Sequence, residues 1–184
     1  MIAAIAALLL APAAHAIEVD TLDVRFEDGR YIVDFHARLD APADAVGAVL
    51  MDFDRYPQLD ARILESRVET RPHQQPRLIT RLRGCVGVLI CRSMSRVEHL
   101  EERQGEIIAR AIPEESDVRF GLTHSRWEPK DDATEVRYRL EIIPDFWVPP
   151  MIGRRMMIRT MREGTLSLFR NVERVARRRT QNQR

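Results

Sequence analysis

The sequence predicts an α+β domain in which a curved antiparallel sheet of about seven strands wraps one long C-terminal helix. Three observations carry that expectation. Apolar residues alternate with a period of two through residues 19–39 and again through 63–142. After Pro150 the period changes to about 3.6 and stays there towards the C-terminus. The chain has 184 residues, of which 45% are hydrophobic and 31% charged. That is the size and balance of a single globular domain rather than a disordered or fibrous chain.

Residues 19–26 and 31–39 are two alternating runs separated by Asp28-Gly29, a strong signal for a hairpin turn. In the second run Tyr31, Val33, Phe35, Ala37 and Leu39 share one face, and Ile32, Asp34, His36 and Arg38 share the other. Asp40-Ala41-Pro42 then predicts a cap and a first-turn proline for a short helix over 43–51. Pro57 ends that segment, because the residue before a proline is driven into extended backbone. Strands are expected at 63–71, 77–84, 89–99, 106–112, 118–127 and 134–142, with Gly and Pro breakers in the intervals. The last helix, of roughly 25 residues, places Met151, Arg154, Ile158, Met161, Thr165, Leu168, Val172 and Val175 on one stripe. A sheet with one dry face must bury it, and only this helix is long enough to cover it. Residues 178–184 are expected to fray.

The first sixteen residues form an Ala/Leu run ending Ala14-His15-Ala16, the small-x-small pattern at which signal peptides are cleaved. The run is shorter than the ~20 apolar residues a membrane-spanning helix needs. It therefore predicts export to the periplasm or beyond, with the domain occupying 17–177. The two cysteines, Cys85 and Cys91, flank Gly87 and Val88, which suits a disulfide across a hairpin in an oxidising compartment. Two thiols at this spacing do not make a zinc site, and the five histidines are scattered without ligand spacing, so no metal is expected.

Net charge is +1, unevenly spread: residues 151–184 carry ten arginines against Glu163 and Glu173, a net +8 that leaves −7 for the remainder. Either the C-terminal helix pairs its arginines with an acidic sheet, or it offers them to anionic lipid head groups. Nucleic acid is not an expected partner, because the basic stretch lacks interleaved aromatics.

Several stretches in this order resemble the START-like superfamily, which includes polyketide cyclases, lipid-transfer domains and coenzyme Q-binding proteins. They are Leu39-Asp40-Ala41-Pro42-Ala43-Asp44-Ala45-Val46, Asp52-Phe53-Asp54-Arg55-Tyr56-Pro57, Trp127-Glu128-Pro129 with 134–138, and Pro144-Asp145-Phe146-Trp147-Val148-Pro149. The resemblance implies a START/Bet v 1-like helix-grip fold around an elongated apolar tunnel, needing no cofactor. The residues expected to line it are Phe53, Tyr56, Leu82, Phe120, Leu122, His124, Tyr138, Trp147, Met151, Arg154, Met157, Ile158 and Met161. The resemblance does not fix the ligand, since the superfamily shares a cavity and varies its lining.

Catalytic motifs are missing: there is no Gly-x-Ser-x-Gly elbow, no His-Glu-x-x-His and no Gly-rich phosphate loop. The expected function is to bind or transfer a hydrophobic small molecule: a lipid, quinone, sterol or polyketide-like compound. The alternative is a cyclase or aromatase in which His124, Tyr138 and Arg154 orient and protonate the substrate. The alternation of Phe120 and Leu122 aims His124 inward. Phe146 and Trp147, between two prolines, are expected to form a hinge or lid at the tunnel end, or an anchor that dips into a membrane surface beside Arg154 and Arg155. Asp52 and Asp54 end a helix and are read as structural.

Overall fold

The computed structural model describes residues 17–86, 90–150 and 152–182. The signal-like segment, the turn around Gly87 and Met151 therefore lie outside the described residues. The elements run β1 (Glu18–Glu27), β2 (Arg30–Leu39), α1 (Ala43–Leu50), a short 3-10 turn (Phe53–Arg55), α2 (Tyr56–Leu59), β3 (Ile63–Glu69), β4 (Arg77–Val86), β5 (Ile90–Arg103), β6 (Glu106–Ala111), β7 (Val118–Lys130), β8 (Ala133–Pro144) and α3 (Ile152–Asn182).

The eight strands form one antiparallel sheet in the order β1-β2-β8-β7-β6-β5-β4-β3. Strands β3 to β8 are a meander, and the last of them returns to lie beside β2. Helices α1 and α2 carry the chain from β2 to the far edge. Each of the eight strands corresponds to one of the alternating runs read in the sequence, and the 77–103 hairpin pairs throughout, from Arg77↔His99 to Val86↔Ile90. Register shifts at Val19/Thr21, Ile63/Glu65 and Val118/Phe120 supply local bends that let the sheet curve.

Helix α3 lies in the concave face. Thr165, Phe169, Val172 and Ala176, spaced at four, three and four residues, are all buried. Phe169, Val172 and Ala176 pack in one core with Val33, Phe35, Leu39, Val46, Val49 and Val136. Arg62 pins the helix midway: its guanidinium donates to the Thr160 carbonyl at 3.1 Å and lies within 2.6–2.9 Å of where a Cβ on Gly164 would stand. A side chain at 164 would push the guanidinium off this position, which Gly164 leaves open. Gly47 of α1 does the same for Trp127, whose Nε1 lies 2.6 Å from its would-be Cβ.

Two expectations are corrected here. The N-cap of α1 is Pro42, with no side-chain capping bond. Asp40 serves tertiary contacts instead, its N–H donating to Glu173 at 3.0 Å and its carboxylate pairing with Arg177 at 3.2 Å. The basic tail does not fray at 178, since α3 continues to Asn182. Arg179 anchors it by donating to the Ala48 carbonyl at 2.9 Å and to Asp52 at 2.6 Å. That bond and Arg55–Asp52 at 3.5 Å account for Asp52 as a structural residue.

Candidate functional site

Register decides which residues face the grip. Across the sheet Phe35 pairs with Tyr138, Tyr138 with Ser125, and Ser125 with Ile107, so these four share the concave face. One position away, Asp34 pairs with Arg139 and Arg139 with His124, on the outer face. His124 accordingly points away from the grip. Its Nε2 meets Glu106 at 2.8 Å, its side chain is 41% exposed, and that bond holds the Glu106 carboxyl below its ordinary range. Phe120 and Leu122 share the outer face with it; Arg30 lies over the Phe120 ring at 4.3 Å. The expected inward set of β7 was therefore placed on the wrong side. Alternation shows which residues share a face but not which face is covered, and the true inward set, Gly121, Thr123 and Ser125, is small and polar. Gly121 is held small by Ala111, whose Cβ would come within 2.9 Å of an added methyl.

The middle of the grip, where an open tunnel was expected, is occupied by side chains. Phe169 stacks on Phe35 with centroids 4.6 Å apart and meets Tyr138 edge-on at 5.4 Å. Phe53 is buried and packs on Tyr56 at 5.4 Å, while the Tyr56 hydroxyl donates to the Leu50 carbonyl at 2.6 Å. Both serve the core. Burial raises the pKa of the Tyr56 and Tyr138 hydroxyls, the latter pushed up to about 12 despite the opposing charge of Arg96.

Free space lies instead at the end of the grip, where the β1–β2 hairpin, the end of β8 and the start of α3 converge. A recess of about 260 Å³ is lined by Phe26, Tyr31, Phe146, Trp147, Pro149 and Arg154, among others. That is slightly under the usual range for small-molecule pockets, roughly 300–1,000 Å³. The Arg154 guanidinium covers the Phe26 ring at 4.1 Å, a cation–π contact at the rim, so this residue borders the recess from its solvent side. Trp147 is 77% exposed and Ile152 70%, a large apolar display for a folded chain. Arg92 lies 5.5 Å from the Phe146 ring, and Arg119 pairs with Asp145 at 3.8 Å, so the rim is basic.

Behind the recess, Tyr31, Val118 and Ile142 form a buried cluster against which Met94, Val148, Met157, Ile158 and Met161 are packed half-buried. Three flexible methionines thus separate the recess from the deeper face of the sheet. Of the residues expected to line a ligand site, the fold gathers Trp147, Arg154, Met157, Ile158 and Met161 at this end. Leu82 is half-buried on the concave face beside Met94.

Sequence reasoning missed Arg96 and Glu98. These alternate with Met94 and Leu100 on the concave side of β5, and Glu98 is fully enclosed. Arg96 Nη2 donates to both Glu98 oxygens at 2.8 and 2.7 Å and to Thr123 Oγ1 at 3.2 Å. Burial opposes the Arg96 charge, and the Glu98 carboxylate overrides it, so the guanidinium pKa is raised. The available signal was negative: between Met94 and Leu100 the covered positions of β5 are not apolar. No metal-binding group occurs among the described residues, and no described helix is long and apolar enough to cross a membrane.

No family model matches the sequence, and no curated protein matches it. Solved structures do match. A START superfamily protein from Mycobacterium smegmatis is 18% identical with a TM-score of 0.61, covering 78% of this chain and 98% of that one. The Zhui aromatase/cyclase from a Streptomyces species is 17% identical with a TM-score of 0.61, covering 81% and 95%. A STAR-related lipid transfer protein from Xanthomonas axonopodis is 14% identical with a TM-score of 0.59, covering 86% and 99%. At these identities the likeness establishes the START-like helix-grip fold.

Proposed function

We propose that the chain binds an apolar small molecule, taken in through the recess at the start of α3, and exchanges it with a membrane surface. The observation that carries this reading is the recess itself: aromatic and proline walls, arginines at the rim, and behind it a wall of methionines able to give way. The likeness in fold to a lipid transfer protein and to an aromatase/cyclase supports the same class of ligand. The cyclase reading that relied on His124 loses that group to the outer face, whereas carriage needs no acid or base.

Native mass spectrometry of the full chain from its own host should detect a co-purifying apolar compound. Bare protein that also takes up no Nile red would overturn the reading.

The exposed Trp147 and Ile152 are the contact with the bilayer, and Arg119, Arg154 and Arg155 beside them meet anionic head groups. Trp147→Ser is expected to slow transfer between anionic vesicles by about tenfold with little change in melting temperature, because the side chain stabilises nothing in the free protein. Transfer at the parental rate would remove Trp147 from the contact.

Export is supported by the Ala/Leu run ending Ala14-His15-Ala16 and by the cysteines. Cys85 and Cys91 are direct register partners on β4 and β5, the arrangement from which a cross-hairpin bridge forms. Under denaturing conditions the exported protein should show no free thiol, and reduction should cost about 2 kcal/mol for so short a loop. Two titratable thiols would contradict the bridge.

A further inference from the structure

Three neighbouring strands carry polar residues on the covered face where the alternation calls for apolar ones. Ser66 on β3 pairs with Thr80 on β4, and Thr80 with Arg96 on β5, so the three form one rung across the concave side. Ser66 is 6% exposed and Thr80 7%. Ser66 Oγ and Arg96 Nε are enclosed and have no hydrogen-bond partner among the described residues. Arg96 is nonetheless held firmly, because its Nη2 is committed to Glu98 and Thr123. The guanidinium is thus fixed through Nη2 with its enclosed Nε–H unused. Enclosed polar atoms are satisfied in the great majority of folded proteins, so an orphan donor on an anchored group asks for an acceptor that the chain does not supply.

The rung is connected to the recess. Met94 precedes Arg96 by two residues on the same face of β5. It packs with Met157, Ile158 and Met161 on the cluster containing Tyr31, and Tyr31 also lines the recess. A ligand entering at the recess would have to displace these half-buried side chains to reach Arg96, and methionine is the residue type that yields most readily.

We infer that the rung is the inner polar end of the ligand site, and that the ligand carries an uncharged oxygen there, a ketone, quinone carbonyl or hydroxyl, which accepts a hydrogen bond from Arg96 Nε–H. This rests on the binding function proposed above and names the ligand class. An anionic end group is disfavoured, because Arg96 is already neutralised by a wholly buried Glu98 and a second anion would be left unpaired beside it. A plain hydrocarbon leaves the donor unsatisfied. Ser66, on the strand beyond Thr80, gives or takes a bond with a second oxygen or a hydroxyl on the same molecule.

The test is displacement of Nile red from the full chain by three probes of equal length: a thirteen-carbon methyl ketone, the alkane and the fatty acid. The ketone should displace the dye at about one-tenth the concentration the alkane requires, the worth of one hydrogen bond from a charged donor, and the fatty acid should do no better than the alkane at neutral pH. Arg96→Lys keeps a cation beside Glu98 but has no Nε–H fork, and should narrow the ketone-to-alkane gap to about threefold or less. Ser66→Ala, which removes one atom and leaves the ion pair intact, should narrow it by a smaller factor and serves if the lysine variant does not fold. Equal displacement by ketone and alkane, strongest displacement by the acid, or an unchanged gap in the variants would overturn the inference and leave apolar binding standing; the rung would then be filled by a buried water. Failure of all three probes would overturn the binding function as well.

Discussion

Phe169→Ala is expected to destabilise the protein by about 4 kcal/mol, seen as a loss of roughly 8–16 °C in melting temperature for a domain of this size. Phe169 is wholly buried, stacks on Phe35 and meets Tyr138 edge-on, so truncation removes both the burial of a large ring and two aromatic contacts. The better helix propensity of alanine returns only about 0.5 kcal/mol. A loss of this size is a large share of the 5–15 kcal/mol that typically holds a domain together. The same substitution opens the middle of the grip next to the methionine wall, so the surviving folded protein should hold more dye than the parent. Urea titration and dye binding measure the two effects. A loss below about 1.5 kcal/mol would show that α3 is not held to the sheet through this ring.

Glu98→Ala is expected to cost about 3–5 kcal/mol, although it deletes a charge from the core. The reason is what remains: an Arg96 guanidinium whose side chain is 14% exposed, with Thr123 as its surviving partner. Removing both charges together, as Arg96→Met with Glu98→Leu, should return most of that stability or exceed the parent, since hydrophobic replacements of buried pairs often do. Chemical denaturation of the parent, the single and the double variant closes the comparison. If the double variant is no better than Glu98→Ala, the pair contributes more than charge compensation. If the double variant is stable yet fails to distinguish ketone from alkane, the pair is kept for its ligand rather than for the fold.

These two residues differ in how visible they are. Phe169 lies beside an apolar stripe of helical period, and any reading of that stripe places it against a sheet. Arg96 and Glu98 look like surface residues in an irregularly patterned strand. Their burial follows from β5 lying between β4 and β6 while its concave side faces the core that joins Leu100 to Phe53 and Leu59, residues more than thirty positions away in the chain. The same distinction explains β7. Phe120, Leu122 and His124 do share a face, as their spacing says, but the partners that decide its direction are Arg139 and Asp34 on β8 and β2. Small inward residues, Gly121, Thr123 and Ser125, let the sheet bend and leave the larger apolar ones outside, where Arg30 covers Phe120.

Local order along the chain determined the strands, the terminal helix and the hairpin at Asp28-Gly29, because periodicity and turn chemistry act between residues a few positions apart. It also determined the apolar, basic end formed by Phe146, Trp147 and the following arginines. Tertiary structure alone decided that the grip is filled at its centre by Phe35, Tyr138 and Phe169 and open at one end, and that an ion pair sits under its roof. Void space and burial are properties of facing surfaces, and a pattern of apolar and polar letters specifies each surface without specifying how closely two of them meet.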